Sequence, residues 1–156
     1  MQTPCAIVFV VVAGLAAAAE PVQQLHFPEV GFTIAPLEVP GHKGPLLLSM
    51  SLPAEDGFAA NVNVQIQSFP GAIEEFATLS SKQFDAAGLE VKSAKTEKGE
   101  WSCEYAGRLG ERKLHFYARA VKQKDRVFLV TATAAEAQWN SVSAQLKACV
   151  DSFTLD

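Results

Sequence analysis

The sequence is poor in the side chains that most often carry chemistry. Its 156 residues include three cysteines and three histidines. They form no His-x-x-x-His pair and no Cys/His cluster, and no Asp-rich calcium loop occurs. The serine motif Gly-x-Ser-x-Gly is missing, and so is a glycine-rich loop with nucleotide-binding spacing. The sequence therefore predicts no catalytic set, no metal and no cofactor.

Charged side chains are missing from the N-terminal segment. Fifteen of the first nineteen residues are apolar and none is charged. The apolar run is shorter than the roughly 20 residues of a spanning helix, and it ends in four alanines, the small residues that signal peptidase requires. We therefore predict a cleavable export signal over residues 1–19, a secreted or periplasmic protein, and no stable membrane span after cleavage. A retained membrane anchor is the alternative.

The formal net charge of −4 is unevenly distributed. Residues 82–126 carry 11 basic and 7 acidic side chains, a balance of +4. A nucleic-acid-binding surface gathers its basic residues without interleaved acids, whereas here the two signs alternate along the chain. We therefore expect no nucleic-acid partner.

Residues Glu20–Asp156 have the length of one domain, and their pattern predicts an α+β fold. The clearest strand is Asn61–Phe69, where apolar and amide side chains alternate. Pro70-Gly71 leads into a helix whose apolar stripe includes Phe76. A meander of strands follows, and a second helix carries a stripe that includes Trp139. We expect a twisted antiparallel sheet of about six strands with helices packed on its faces.

Two local features refine this prediction. Residues 127–130 are apolar on both faces, which is typical of a central strand covered on both sides. Residues Thr133–Glu136 fit a capping box at the start of the last helix.

Two cysteines, Cys103 and Cys149, remain after the predicted cleavage. An even pair in an exported protein favours a disulfide. Cys103 lies in a strand and Cys149 on the apolar side of the last helix, so the two could meet across the core. The alternative is a pair of buried thiols that act as small hydrophobic groups.

Three segments resemble the PsbP-like superfamily, namely residues 32–36, 62–76 and 128–134. This superfamily contains the extrinsic P-subunit of photosystem II, the Ran-binding Mog protein and the DcrB-type exported proteins, and the DcrB-type members are the most similar. The resemblance implies an α/β/α sandwich and a non-enzymatic binding or assembly role. No metal-binding or docking residue of these relatives can be matched to this sequence, and an exported protein would not encounter Ran, a nuclear GTPase.

One polar surface remains as a candidate site. The amides of the clearest strand share one face and are joined there by hydroxyls of a neighbouring strand, where they could bind an extended polar ligand or peptide. The candidate residues are Asn61, Asn63, Gln65, Gln67, Ser49 and Ser51. The alternative is an ordinary solvated strand face. The partner would be an unknown protein or envelope component.

Two other functions stay open. One is a small hydrolase or lyase with a dispersed site that uses His42 or His115, and a buried histidine bonded to serine or carboxylate would favour it. We expect His115 to be a residue of the sheet surface and the pair Glu100/Glu104 to lie on an exposed strand face. The other function is a structural subunit of an envelope complex, which a large exposed apolar patch would favour.

Overall fold

The computed structural model describes residues 25–28, 31–34 and 46–155. The chain divides into two compact units, residues 1–36 and 37–156. In the first, β1 (Leu25–Phe27) and β2 (Phe32–Ile34) form an antiparallel hairpin, and the His26 ring hydrogen-bonds the Thr33 hydroxyl. The predicted export signal, residues 1–19, and His42 lie outside the described residues. The single-domain assignment of residues 20–156 stays a prediction.

The second unit is built on one antiparallel sheet of six strands in the order β3-β4-β8-β7-β6-β5. The strands are β3 (Leu46–Ser51), β4 (Asn61–Ser68), β5 (Glu90–Glu97), β6 (Glu100–Leu109), β7 (Arg112–Gln123) and β8 (Arg126–Ala135). The helices are α1 (Ile73–Ala86) and α2 (Glu136–Asp151). This architecture confirms the predicted α+β fold. Within the described residues no helix has the length and apolar character needed to cross a membrane.

The two helices pack on opposite faces of this sheet. On one face α1 buries Phe76, 5% exposed, against Trp101 and other residues of β6 and β7. On the other face α2 buries Trp139, 6% exposed, against residues of β4 and β8. Each apolar stripe predicted from the sequence therefore meets the sheet, and burial of each large side chain contributes roughly 1.5–3 kcal/mol.

Strand β8 lies between β4 and β7 and is covered on both sides, as its apolar pattern predicts. Val127 belongs to the cluster beneath α1, and Val130 belongs to the cluster beneath α2.

The predicted capping box at Thr133 is wrong. Residues 133–135 still pair with β7, so β8 extends further than expected and Ala135 is the N-cap of α2. The Gln138 side chain accepts a hydrogen bond from the Ala135 amide at 3.3 Å. One half of a capping box is thus present, shifted by two residues, because the sheet ladder holds the Thr133 backbone in the extended conformation.

The candidate disulfide between Cys103 and Cys149 is not formed in the structure, since both thiols are free. Cys103 packs in the cluster beneath α1, whereas Cys149 lies on α2 and packs in the cluster on the opposite face. The sheet separates the two sulfur atoms. The alternative of two thiols that act as small hydrophobic groups therefore holds.

We expect both thiols to be alkylated when the protein is denatured without reductant. In the folded protein Cys103 should react far more slowly than Cys149, because burial first and the nearby Glu104 carboxylate second raise the pKa of Cys103 to about 11. Peptide mapping by mass spectrometry after alkylation measures both sites. A peptide that joins Cys103 to Cys149 would contradict this assignment.

Candidate functional site

The structure brings the sequence-predicted polar residues together on one face of the sheet. Val62 and Val64 of β4 point towards α2, so the alternate amide side chains point to the opposite face. Residues that pair directly across antiparallel strands share a face. We call this surface the amide ladder; it comprises Asn61, Asn63, Gln65 and Gln67 of β4 with the paired hydroxyl residues Ser49, Ser51, Thr131 and Thr133 of β3 and β8.

The pairing register fixes the order of groups along the ladder. Asn61 lies between Ser51 and Thr133, and Asn63 lies between Ser49 and Thr131. Further along β8, the partners are apolar: Gln65 pairs with Leu129, and Gln67 pairs with Val127. The densest hydrogen-bonding surface is therefore around Asn61 and Asn63.

The amide ladder is accessible in part and keeps hydrogen-bonding capacity. Its four amides are half-buried, and Ser49 and Ser51 are exposed. The Asn61 amide donates to the carbonyl oxygen of Ala59 at 3.1 Å, and the Gln65 amide donates to Asn63 Oδ1 at 3.4 Å. Helix α1 packs on β5, β6 and β7, so the ladder lies beside this helix and not beneath it. Each amide offers two donors and an acceptor, so groups remain for a ligand.

A second polar arrangement was not predicted from the sequence. The ring of His115 on β7 lies between two carboxylates, with Nε2 at 2.9 Å from Glu104 Oε1 and Nδ1 at 3.0 Å from Glu136 Oε2. Lys147 Nζ of α2 donates to the other oxygen of Glu104 at 2.7 Å. We call Glu104, His115, Glu136 and Lys147 the His115 cluster. It joins β6, β7 and α2.

Packing encloses the centre of the His115 cluster, whereas the Glu136 side chain is 47% exposed. His115 is 7% exposed, and its ring stacks on Trp139 with centroids 4.1 Å apart. Burial of the Glu104 carboxyl acts to raise its pKa, but the hydrogen bonds and positive charges of Lys147 and His115 outweigh burial and hold the pKa below its ordinary value. The predictions of a sheet-surface His115 and an exposed Glu104 are therefore wrong, because α2 covers this part of the sheet.

Glu100 keeps the exposure predicted for its strand face, since its side chain is 41% exposed. Its carboxylate forms an ion pair with Arg119, at 2.8 Å from the guanidinium. The same guanidinium donates to the carbonyl oxygens of Asp151 and Phe153, at the end of α2 and just beyond it. Glu100 therefore belongs to a network that ties the end of α2 to the sheet.

A buried histidine bonded to serine or carboxylate would favour a hydrolase or lyase, and His115 is buried and bonds two carboxylates. Both ring nitrogens, however, lie within hydrogen-bonding distance of carboxylates, and neither of them bonds a serine. His26 is exposed and bonds only Thr33. Among the residues that the structure describes, no group of three or more His, Cys, Asp or Glu side chains could hold a metal ion. The His115 cluster has the geometry of an ionic network that connects β6, β7 and α2.

A cleft of about 580 Å³ opens beside the start of α2. It is lined by residues 111–113 and 135–137 and borders the His115 cluster at Glu136. The cleft does not include any residue of the amide ladder.

These features define the protein as an α/β/α sandwich with a polar sheet face beside one helix and an ionic cluster beneath the other. The PsbP family model matches residues 59–155, and the chain belongs to the PsbP family. This confirms the resemblance seen in the sequence. No curated protein matches the chain.

Solved structures similar to the chain include one from Pseudomonas aeruginosa and one from a cyanobacterium. PA94 of Pseudomonas aeruginosa, a protein of unknown function, superposes with a TM-score of 0.67 at 10% identity, over 86% of this chain and 96% of that chain. This likeness shows the shared fold. The solution structure of cyanobacterial PsbP from Synechocystis sp. PCC 6803 superposes with a TM-score of 0.47 at 15% identity, over 92% of this chain and 99% of that chain.

Proposed function

We propose that the protein is an exported accessory domain that binds a protein or envelope component through the amide ladder, without catalysis of its own. The observation that carries this proposal is the row of four half-buried amides, in which Asn61 and Asn63 are bordered on both sides by hydroxyl groups. Membership of the PsbP family supports an accessory role. The uncharged apolar run of residues 1–19 supports a secreted or periplasmic location.

The chemistry of the ladder favours an extended polar segment of the partner. The ladder residues are neutral, so they recognise hydrogen-bonding groups and not net charge. Amides and hydroxyls both donate and accept, and thus they match a peptide backbone, which alternates donors and acceptors. Each hydrogen bond contributes only about 0.5–1.5 kcal/mol net, so useful affinity requires several of them along the strand.

A structural subunit of an envelope assembly is the second candidate. Leu48 and Met50 are exposed on the outermost strand β3, on the face opposite the ladder. They form a small apolar surface that a neighbouring subunit could cover. In that case variants of Leu48 and Met50, and not ladder variants, would abolish assembly.

We expect the double substitution Asn63→Ala and Gln65→Ala to weaken partner capture about tenfold or more, because two hydrogen-bonding side chains are removed together. The measurement is cross-linked capture from a native envelope fraction, followed by mass spectrometry. Gln83→Ala with Asn140→Ala is the matched control, since it removes two exposed amides from the helices. Unchanged capture by the ladder variant, with the fold intact by circular dichroism, would discard the ladder as the binding site.

A further inference from the structure

The two edges of the six-stranded sheet differ in charge. One edge is β5, whose eight residues include the charged side chains of Glu90, Lys92, Lys95 and Glu97. Charged side chains on an edge strand hinder its pairing with strands of other molecules. The other edge is β3, and neither β3 nor its neighbour β4 contains a charged residue. The β3 edge therefore lacks the protection that the β5 edge has.

The backbone groups at the β3 edge belong to its two serines. The Leu52 amide donates to the Ala60 carbonyl oxygen at 2.8 Å, so the Leu52 backbone bonds towards β4. Backbone groups point alternately to the two sides of an antiparallel strand, and thus Met50 also bonds towards β4. Ser49 and Ser51 therefore direct their N–H and C=O groups away from β4. Among the described residues, no strand pairs with β3 on that side.

The side chains of β3 divide by polarity. Leu48 and Met50 point to the face that α2 covers, because their partners on β4 pack beneath α2, and they are 37% and 44% exposed. Ser49 and Ser51 point to the face of the amide ladder. A strand that pairs with this edge therefore needs apolar side chains on the first face and small polar side chains on the second. Strand β3 has this pattern itself.

A two-fold axis perpendicular to the sheet beside Met50 brings two copies of β3 together in antiparallel register. Ser49 of each copy then pairs with Ser51 of the other, and the outward N–H and C=O groups of these serines bond one another. Met50 lies opposite Met50 of the second copy, and Leu48 lies opposite Leu52. Apolar side chains thus meet apolar side chains, and hydroxyls meet hydroxyls.

This arrangement brings no like charges together among the described residues. The charged residues that follow β3 most closely along the chain are Glu55 and Asp56, in the turn held by the bridge between Glu55 and Phe58. In an antiparallel pair the two turns lie at opposite ends of the joined strands. The acidic groups of the two copies therefore stay apart.

We propose that the β3 edge is a self-association surface, through which the sheets of two copies of this chain join into one continuous sheet. The self-complementary pattern of β3 favours a second copy as the occupant, because the chain itself supplies the strand that the edge requires. Such a contact is small, so the dimer is weak and reversible. The two amide ladders then form one polar surface, but the dimer does not depend on the proposed function.

The test is sedimentation equilibrium of the protein purified from cells that export it, over a range of protein concentrations. Met50→Lys places two ammonium groups opposite each other beside the two-fold axis, and Met50→Glu places two carboxylates there. An equimolar mixture of these variants places one of each. Val91→Lys is the matched control, since Val91 is 41% exposed on the other edge strand, β5. Circular dichroism shows whether each variant is folded.

We expect a dimer whose share rises with protein concentration. Met50→Lys and Met50→Glu should each weaken dimerisation about tenfold or more, because like charges then lie directly opposite each other. The equimolar mixture should dimerise within about threefold of the original protein, because opposite charges then lie opposite each other. Val91→Lys should stay within about twofold of the original, because its edge takes no part in the contact.

Four results would overturn the proposal. The first is a protein that stays monomeric up to its solubility limit; slow exchange of the Ser49 and Ser51 amides in that monomer would mean that another segment of the same chain pairs with β3. The second is a dimer that survives Met50→Lys. The third is an equal loss of dimerisation in Val91→Lys. The fourth is an equimolar mixture that stays monomeric although both variants are folded. None of these measurements involves partner capture, so their failure is distinct from failure of the amide ladder.

Discussion

Replacing Glu104 with glutamine should lower the free energy of unfolding by about 2–3 kcal/mol at neutral pH. Glu104 accepts hydrogen bonds from Lys147 at 2.7 Å and from the enclosed His115 ring at 2.9 Å. Glutamine keeps the shape of the side chain but removes the negative charge. Lys147 and His115 are then left without their carboxylate partner. Urea denaturation followed by far-ultraviolet circular dichroism measures the change.

The same variant tests the origin of the effect through pH. The pKa of Glu104 is lowered in the folded protein: burial opposes this shift, and the bonds from Lys147 and His115 outweigh it. A carboxyl with a lowered folded-state pKa stabilises the fold fully above its unfolded pKa of about 4.3 and loses that contribution as pH falls through the folded value. The difference between the original protein and Glu104→Gln should therefore be largest near neutral pH and shrink under acid.

Glu97→Gln is the control for this experiment. Glu97 is paired with Lys95 on an exposed strand, and such surface pairs contribute little, within about 0.5 kcal/mol. A Glu104→Gln variant as stable as this control at neutral pH would contradict the structural role of the His115 cluster.

Replacing Trp139 with alanine should cost about 3–5 kcal/mol of unfolding free energy. The indole is almost fully buried between α2 and the sheet, stacks on His115, and lies beneath Lys147, whose ammonium is 5.6 Å from the ring centroid. The substitution therefore leaves a cavity and removes the surface on which the His115 cluster rests. The urea midpoint, read by circular dichroism, reports the loss.

Leu109→Ala is the matched control, because Leu109 is 71% exposed and lies at the tip of a hairpin. We expect its stability to stay within about 0.5 kcal/mol of the original protein. A loss of less than 1 kcal/mol in Trp139→Ala would mean that α2 is not packed on the sheet as described, and the sandwich assignment would fail.

Local sequence signals predict most of the fold. The alternation over residues 61–69 gives bounds close to those observed for β4, because a period-two pattern is set locally. The start of α2 was misplaced for a non-local reason. Pairing with β7 extends β8 through Ala135, and nothing in residues 133–136 themselves reveals that pairing.

The two polar sites differ in how far the sequence could predict them. The β4 side of the amide ladder follows from alternation alone, and the serines of β3 follow from pairing with an adjacent strand. The contribution of Thr131 and Thr133 requires knowledge that β8, distant in sequence, pairs with β4. The His115 cluster depends on the tertiary position of α2, which brings Glu136 and Lys147 over Glu104 and His115.

A signal for the His115 cluster was nevertheless present. Glu104 and His115 both alternate with buried apolar residues, so both lie on the sheet face opposite α1. A sheet with helices on both faces places those residues beneath the second helix. The apolar stripe of that helix includes Trp139, and Lys147 lies one residue after Leu146 of the same stripe.

Hydrogen exchange of the protein with and without its captured partner, read peptide by peptide by mass spectrometry, tests the amide ladder most directly. We predict that binding slows exchange in residues 46–51 and 61–68, the two strands that carry the ladder's amides and serines. Slowed exchange confined to residues 111–113 and 135–137, around the cleft beside Glu136, would contradict the proposal that the partner binds the amide ladder.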